Sequence, residues 1–214
     1  EYFTELTQSE VKEYFRGNLW PNTPDILPLH LQQGGRPEFI IRAVLATTLS
    51  SVYGIYSGFE LCENASLPGR EEYLDSEKYQ WKERNWDAPG NIKDWITRLN
   101  RIRKENRALH LYENLRFYEA DNEAILCYAK RTEAKDNIIV VVVNLDSART
   151  QNSYIHLPLA DFGLTETEPY QVHDLLTDAR YTWHGSRNYV ELGPNSQPAH
   201  VFRVRRAAAA ERFA

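Results

Sequence analysis

Two different patterns of hydrophobic and polar positions divide the chain near residue 111. Before this point, hydrophobic residues recur three and four positions apart in two stretches, which predicts two amphipathic helices. Their positions are Ile40, Ile41, Val44, Leu45 and Leu49 in the first stretch and Ile92, Trp95, Ile96, Leu99 and Ile102 in the second. After residue 111, short runs rich in β-branched and aromatic residues alternate with turn residues, a pattern typical of strands.

Each predicted helix follows a short predicted strand and a polar loop. The strands are residues 18–20 and 52–56, and the longer of the two loops covers residues 59–90. The order strand, loop, helix therefore occurs twice, as in βα architectures. A closed (β/α)8 barrel needs eight such units and roughly 250 residues. We therefore predict that residues 1–111 are the C-terminal portion of such a barrel rather than a complete one.

Residues 112–206 are predicted to form an antiparallel β-sandwich, because strand-like runs follow one another at short intervals. The predicted strands are residues 115–118, 124–128, 138–144, 153–157, 170–174, 181–183, 189–192 and 200–204. Residues 138–143 are hydrophobic at every position, which predicts the central strand. Residues 207–214 are an Ala-rich tail. The fold class is thus α/β followed by all-β.

The beginning of the chain has a sequence typical of a helix N-terminus and no initiator methionine. Thr7-Gln8-Ser9-Glu10 matches a capping box, so a helix is predicted from Val11. The chain contains no Met, even at position 1, and opens within a helix-like pattern. We therefore expect it to be a piece of a longer polypeptide.

Composition and charge exclude several function classes. With 25 Lys and Arg against 30 Asp and Glu, the net charge of -5 argues against nucleic acid and membrane surfaces as partners. The two cysteines, Cys62 and Cys127, are expected to be reduced thiols of a cytoplasmic protein. No metal-binding or nucleotide-binding motif is present, so neither a metal nor another cofactor is expected.

The first candidate site residue is Asp25, which follows the predicted strand at residues 18–20. The loops after barrel strands hold the active site, and carboxylates stabilise the oxocarbenium-like transition state of glycosyl transfer. The structural alternative is that Asp25 caps the helix predicted over residues 26–33, since Asp is a favoured N-cap. The pattern alone leaves both interpretations open.

The second candidate is the polar segment after residues 52–56, which contains Glu60-Leu61-Cys62-Glu63-Asn64 and residues 73–79. Its carboxylates can accept hydrogen bonds from sugar hydroxyls, Lys78 can donate, and Tyr79, Trp81 or Trp86 can pack on a sugar ring. The alternative is a solvated polar loop with a short charged helix.

Several strings in the right order resemble one family over nearly the whole chain. They are Pro21-Asn22-Thr23-Pro24-Asp25-Ile26-Leu27, Gly34-Gly35-Arg36-Pro37, Gly54-Ile55-Tyr56-Ser57-Gly58, Glu60-Leu61-Cys62-Glu63-Asn64, Glu72-Tyr73-Leu74-Asp75-Ser76-Glu77-Lys78-Tyr79 and Val140-Val141-Val142-Val143-Asn144-Leu145-Asp146. The chain resembles the C-terminal part of the α-1,4-glucan:maltose-1-phosphate maltosyltransferases, a branch of the α-amylase superfamily (glycoside hydrolase family 13). Where classical amylases read Asn-His-Asp, this chain has Thr23-Pro24-Asp25, as that branch does.

The resemblance implies a retaining transfer of maltosyl from maltose 1-phosphate to the non-reducing end of α-1,4-glucan, with release of phosphate. Asp25 matches the aspartate that stabilises the transition state, and Lys78 and Tyr79 match a pair that contacts the donor sugar. Asn22 lies in the same motif and is a further candidate for substrate binding. The nucleophile and the acid/base lie on barrel strands that this chain does not contain.

Other interpretations follow from the same residues. The parent could be a glucan hydrolase or another transglycosylase, or residues 112–206 could be a non-catalytic module that packs on the barrel or binds glucan. No cluster of exposed aromatic residues is evident in the predicted strands, which favours packing. The isolated chain is predicted to be inactive and to expose one hydrophobic face of each helix where the rest of the barrel would lie. Its expected partners are the two substrates and the remaining barrel, with a homodimer possible through other regions.

Overall fold

The computed structural model of the chain describes residues 1–75 and 81–207. The described part of the first half contains four α-helices and two short strands. These are α1 (Tyr2–Gln8), β1 (Asn18–Leu19), α2 (Leu29–Gln33), α3 (Gly35–Leu49), β2 (Val52–Tyr53) and α4 (Lys93–Glu105). The second half contains β3 (Leu115–Tyr118), β4 (Ile125–Arg131), β5 (Ile138–Asn144), β6 (Gln151–His156), β7 (Tyr170–Asp174), β8 (Arg180–Trp183), β9 (Arg187–Leu192) and β10 (Ala199–Arg206).

β1 and β2 form a two-stranded parallel pair, with Asn18 opposite Val52 and Leu19 opposite Tyr53. α2 and α3 connect the two strands. β2 is shorter than the predicted strand over residues 52–56 because its pairing ends at Gly54, whose N–H donates to the Leu19 carbonyl over 2.9 Å. Parallel strands require such a helical crossover.

Six antiparallel strands form the main sheet, in the order β3-β4-β5-β10-β7-β8. β5 lies inside this sheet between β4 and β10, and all seven of its residues are buried. Burying a Val or Ile side chain stabilises a fold by roughly 1.5–3 kcal/mol, so this strand is a main source of core stability. The predicted central strand and all eight predicted strands are confirmed.

Alternate residues of β5 belong to two different hydrophobic cores on the two faces of the sheet. Ile139, Val141 and Val143 pack with residues of α3 and α4, whereas Ile138, Val140 and Val142 face the opposite way. The second face is covered by the pair β6–β9 and by a 3₁₀ turn at Leu159–Phe162. This is the period-two alternation of a strand buried on both sides.

The helices bury their hydrophobic faces within the chain, contrary to the prediction that each would expose one. α3 is buried along almost its whole length because α4 covers one part of it and the main sheet another. The exposed large hydrophobic side chains of the described first half lie mostly in loops or at the ends of elements. They are Tyr2, Tyr14, Phe15, Trp20, Ile26, Leu29, Val52, Leu74, Trp81, Trp86 and Leu111.

The capping box predicted at residues 7–10 is not formed. Thr7 lies inside α1, where its hydroxyl donates to the Phe3 carbonyl over 2.7 Å. Ser9 is the capping residue, since its hydroxyl accepts from the Val11 N–H and a 3₁₀ turn at Glu10–Glu13 follows. A Thr that bonds back to the carbonyl four residues earlier is common inside helices, and it leaves the cap to Ser9.

Within the described ranges, no helix is both long enough and apolar enough to cross a bilayer.

Candidate functional site

The segments that follow the carboxyl ends of β1 and β2 lie against each other. The first is a tight turn in which Thr23 and Ile26 exchange two backbone hydrogen bonds of 3.0 and 3.3 Å. Pro24 and Asp25 form the tip of this turn. The Asp25 side chain is exposed and makes no hydrogen bond or ion pair with any residue in the described part of the chain. Its carboxylate is therefore available to a ligand.

Asp25 does not cap a helix, so the structural alternative for this residue is wrong. α2 begins only at Leu29, and the residue before it is Pro28. Pro28 cannot accept a side-chain hydrogen bond from the helix, but its fixed backbone angle suits a helix start. The Leu29 N–H instead donates a hydrogen bond of 2.8 Å to the Glu71 carboxylate.

Asn22 connects the two segments from a buried position, with 1% of its surface exposed. Its side-chain oxygen accepts from the Tyr56 N–H over 2.9 Å, and its side-chain nitrogen donates to the Tyr73 hydroxyl over 2.7 Å. The same nitrogen lies 3.4 Å from the Tyr56 carbonyl. Both ends of the amide are thus used within the protein, and Asn22 holds the strand ends in register.

Tyr73 completes this connection. Its ring centroid lies 5.7 Å from that of Tyr56, and its side chain is buried. Burial, partly offset by the hydrogen bond from Asn22, raises the pKa of Tyr73 to about 12. The hydroxyl therefore stays neutral and keeps accepting from Asn22 throughout the physiological pH range.

Residues 64–73 clamp the segment that carries Asp25. The Leu27 N–H donates to the Glu71 carbonyl over 2.8 Å, and the Gln32 amide donates to the Leu27 and Arg70 carbonyls over 2.8 and 3.0 Å. The Ser66 hydroxyl donates to the Gln32 side-chain oxygen over 2.7 Å. These contacts hold the C-terminal side of the Asp25 turn, and Asn22 holds its N-terminal side. The sequence did not indicate that Gln32 and Glu71 help to hold this turn. The two residues are 39 positions apart and belong to no shared periodic pattern.

Two carboxylates of the second candidate segment, Glu60 and Glu63, are bonded inside the protein. Glu63 pairs with Arg84 at 2.9 Å and with Lys82 at 3.2 Å, and Glu60 accepts from the Gly58 N–H over 3.0 Å. A side chain at Gly58 would collide with the Glu63 carboxylate. These groups fasten residues 81–84 to the end of β2, so their visible role is to shape the loop.

Cys62 is a free thiol in this loop. Its Sγ lies 3.8 Å from the Gly90 carbonyl oxygen, and burial raises the pKa of the thiol to about 11. A thiol that stays protonated is a poor nucleophile, which argues against a nucleophilic role for Cys62. Cys127, the other free thiol, is buried in β4.

Lys78 and Tyr79 lie outside the described residues. The two flanking positions are Asp75 and Trp81, and the Trp81 side chain is strongly exposed. Trp86 is also exposed. The structure therefore brings Asn22, Asp25 and Tyr73 into one region, and Asp75 is the last described residue before Lys78 and Tyr79 in the sequence.

Solved structures identify the class of fold. A γ-CGTase from Alkalophilic bacillus clarkii matches 96% of this chain and 29% of its own with a TM-score of 0.62 at 18% identity. A maltogenic α-amylase, AmyB from Thermotoga neapolitana, matches 97% of this chain and 46% of its own with a TM-score of 0.62 at 15% identity. The chain thus has the fold found in the C-terminal region of α-amylase-family enzymes.

Relatives of higher sequence identity share one name within that class. A family model described as GLGE, C-terminal, matches residues 117–204. Proteins named α-1,4-glucan:maltose-1-phosphate maltosyltransferase are similar to this chain: the one from Rhodospirillum rubrum is 53% identical over 95% of the chain, and the one from Myxococcus xanthus 50% over 96%. The chain corresponds to a C-terminal part of the proteins that bear this name. It spans about 30% of the length of these relatives.

Proposed function

We propose that the full-length protein transfers maltosyl units from maltose 1-phosphate to the non-reducing end of α-1,4-glucan and releases phosphate. The observation that carries this proposal is the similarity of about 50% identity over most of the chain to proteins that bear this name. The aligned stretch includes the turn at residues 23–26 and the β-rich half alike, since each alignment covers at least 95% of the chain.

We further propose that residues 1–111 complete a (β/α)8 barrel, that residues 112–206 are its β-sandwich domain and that residues 207–214 are a tail. The parallel pairing of β1 and β2 across α2 and α3 supports this arrangement. Exposed Trp20 and Val52 mark the surface beside the pair that further strands of the barrel would cover.

Asp25 is the proposed transition-state stabiliser. The turn between Thr23 and Ile26 follows the carboxyl end of β1, where barrel enzymes place catalytic groups. The positive charge that develops on the sugar ring during retaining transfer is stabilised by a nearby carboxylate. Because Asp25 forms no ion pair with the described residues, its carboxylate is free to face the substrate.

The nucleophile and the proton donor are proposed to lie on barrel strands outside this chain. A double displacement needs both groups, so the isolated chain is expected to be inactive. Lys78 and Tyr79 are proposed to contact the donor sugar. Asn22 was proposed from its motif as a substrate-binding residue. Its amide is already bonded inside the protein, so we propose that it acts indirectly, by holding Tyr73 and the segment that leads to Lys78 and Tyr79.

The enzyme is proposed to be cytoplasmic, to need no cofactor and to have no nucleic acid or membrane partner; a homodimer would form through regions outside this chain.

The experiment that tests the proposed function combines the full-length protein with maltose 1-phosphate and a short maltooligosaccharide. The expected result is phosphate release that matches the appearance of products two glucose units longer. The matched control contains maltose in place of maltose 1-phosphate. It should give neither phosphate nor longer products. New reducing ends from glucan without phosphate release would contradict the proposal and place the protein among glucan hydrolases.

A further inference from the structure

The outer face of the β6–β9 pair carries two exposed tyrosines at its centre. Tyr154 and Tyr189 lie directly opposite each other, with 39% and 50% of their surfaces exposed. Their ring centroids are 5.5 Å apart and the rings are tilted by 67°. This pair corrects the expectation that the strands carry no exposed aromatic cluster.

Hydrogen-bonding side chains flank this aromatic pair on both sides. Asn152 lies opposite Glu191 on one side, and His156 lies opposite Arg187 on the other. All six side chains project from the same face, because their neighbours Ile155, Val190 and Leu192 are buried in the core beneath. Three rows of paired side chains, spaced roughly 7 Å apart along the strands, make a face long enough for a short oligosaccharide.

The polar groups of this face are held in fixed positions. Asp121 accepts from His156 at 2.6 Å and from Arg187 at 3.0 Å, and the Arg187 guanidinium lies 3.4 Å from the centre of the Tyr154 ring. Tyr189 donates to the Glu191 carboxylate over 3.2 Å. The Arg187 stack orders one ring, and Tyr189 remains the more exposed of the two.

We propose that this face, the tyrosine plate (Asn152, Tyr154, His156, Arg187, Tyr189 and Glu191), is a second binding site for α-glucan, separate from the region around Asp25. The hydrophobic face of a glucose ring packs on a tyrosine ring, while planar amide, carboxylate and guanidinium groups bond to neighbouring hydroxyls. The β6–β9 pair is held in the fold by the buried side chains of its inner face. Its folding therefore does not require two exposed aromatic rings on its outer face. The choice of glucan as ligand rests on the proposed function.

A glucan site on the sandwich would raise the local concentration of polymer ends near the catalytic region. Two linked sites act together in this way without any new contact at the active site. The plate should therefore affect long glucans and leave short acceptors unaffected.

The test compares variants of the full-length protein by their retardation in native gels that contain glycogen. Tyr189→Thr keeps a β-branched residue in the strand and removes the ring, so it should weaken glycogen binding about threefold to tenfold. Tyr189→Phe should bind as the unmodified protein does. Tyr181→Thr removes an equally exposed tyrosine, with 41% of its surface exposed, from strand β8 and is the matched control. Tyr154→Thr is a second plate variant in case Tyr189→Thr does not fold.

The proposal is supported if Tyr189→Thr and Tyr154→Thr are retarded less by glycogen and Tyr189→Phe and Tyr181→Thr are not. Phosphate release with maltohexaose should be unchanged in all four variants. Retardation of folded Tyr189→Thr and Tyr154→Thr equal to that of Tyr181→Thr would overturn it, as would an equal loss in Tyr189→Phe. Absence of phosphate release in all variants would contradict the proposed enzymatic function, and the retardation would still decide whether the plate binds glucan.

Discussion

The side-chain nitrogen of Asn22 donates a hydrogen bond of 2.7 Å to the hydroxyl of Tyr73, and both residues are buried. This bond joins the segment after β1 to the segment that leads to Lys78 and Tyr79, across 51 positions of sequence. Asp25 lies three residues from one end of the bond, and Asp75 lies two residues from the other. Catalytic geometry must be held within a fraction of an ångström, and we propose that this bond positions the two segments with that precision.

Tyr73→Phe removes the acceptor of this bond and leaves the Asn22 nitrogen with a distant carbonyl only. A buried donor without a good partner costs about 1–3 kcal/mol, so the unfolding midpoint of the full-length protein should fall. The turnover number should fall more than the Michaelis constant rises, because the loss acts on the position of catalytic groups. Tyr56→Phe is the control, since the Tyr56 hydroxyl makes no hydrogen bond to the described residues. Equal effects in both variants would contradict a positioning role.

Lys130 is fully buried on β4, and its amine has no hydrogen-bond partner among the described residues. Burial, with a smaller contribution from the Arg103 charge, lowers the pKa of Lys130 to about 7. In the unfolded chain the amine has its ordinary value of 10.5. Between these two values the unfolded chain binds more protons than the folded chain, so stability rises with pH across this window.

Lys130→Met should therefore stabilise the protein, and the gain should be largest at pH 7 and below, where it is on the order of a few kcal/mol. It should shrink as pH rises and nearly vanish near pH 10.5. Thermal unfolding of the variant and the unmodified protein at pH 7, 8.5 and 10 measures this difference directly. Lys104→Met, at an exposed position of α4, should show no such trend. A gain for Lys130→Met that is constant with pH would contradict the account.

Gly54 lies where β2 ends, with the Trp20 ring against it. A methyl group at this position would come within 2.3 Å of a Trp20 ring carbon, so either the ring or the strand end must move. Gly54→Ala should destabilise the fold by about 1–3 kcal/mol. At Gly17 the nearest atom would be 3.8 Å away, so Gly17→Ala should change stability little. Chemical unfolding of the two variants side by side distinguishes them, and similar midpoints would show that Trp20 moves freely.

Local patterns predicted the elements well and the contacts between them poorly. The hydrophobic run at residues 138–143 and the helical spacing of Leu99 and Ile102 each depend on neighbours in sequence, and both predictions are confirmed. The bond from Asn22 to Tyr73 joins two loops, and no periodic pattern carries such information. The failed capping box at residues 7–10 shows the same limit, because the same Thr can cap a helix or bond back inside one.

One feature of the sequence indicates that the two tyrosines of the tyrosine plate are exposed. Tyr154 precedes Ile155, and Tyr189 precedes Val190, so period-two alternation places both tyrosines on the polar face of their strands. Their position opposite each other required the register of β6 and β9, which sequence does not supply.

Asp25→Asn in the full-length protein tests the central claim most directly, with Asp87→Asn at an exposed loop position as the control. The measured quantity is phosphate release from maltose 1-phosphate with a short maltooligosaccharide acceptor. Asp25→Asn keeps the size of the side chain and removes the charge that we propose stabilises the oxocarbenium-like transition state. We predict that it lowers the turnover number about a thousandfold or more, with an unchanged unfolding midpoint and an active Asp87→Asn control. Turnover near that of the unmodified enzyme would contradict the assignment of Asp25.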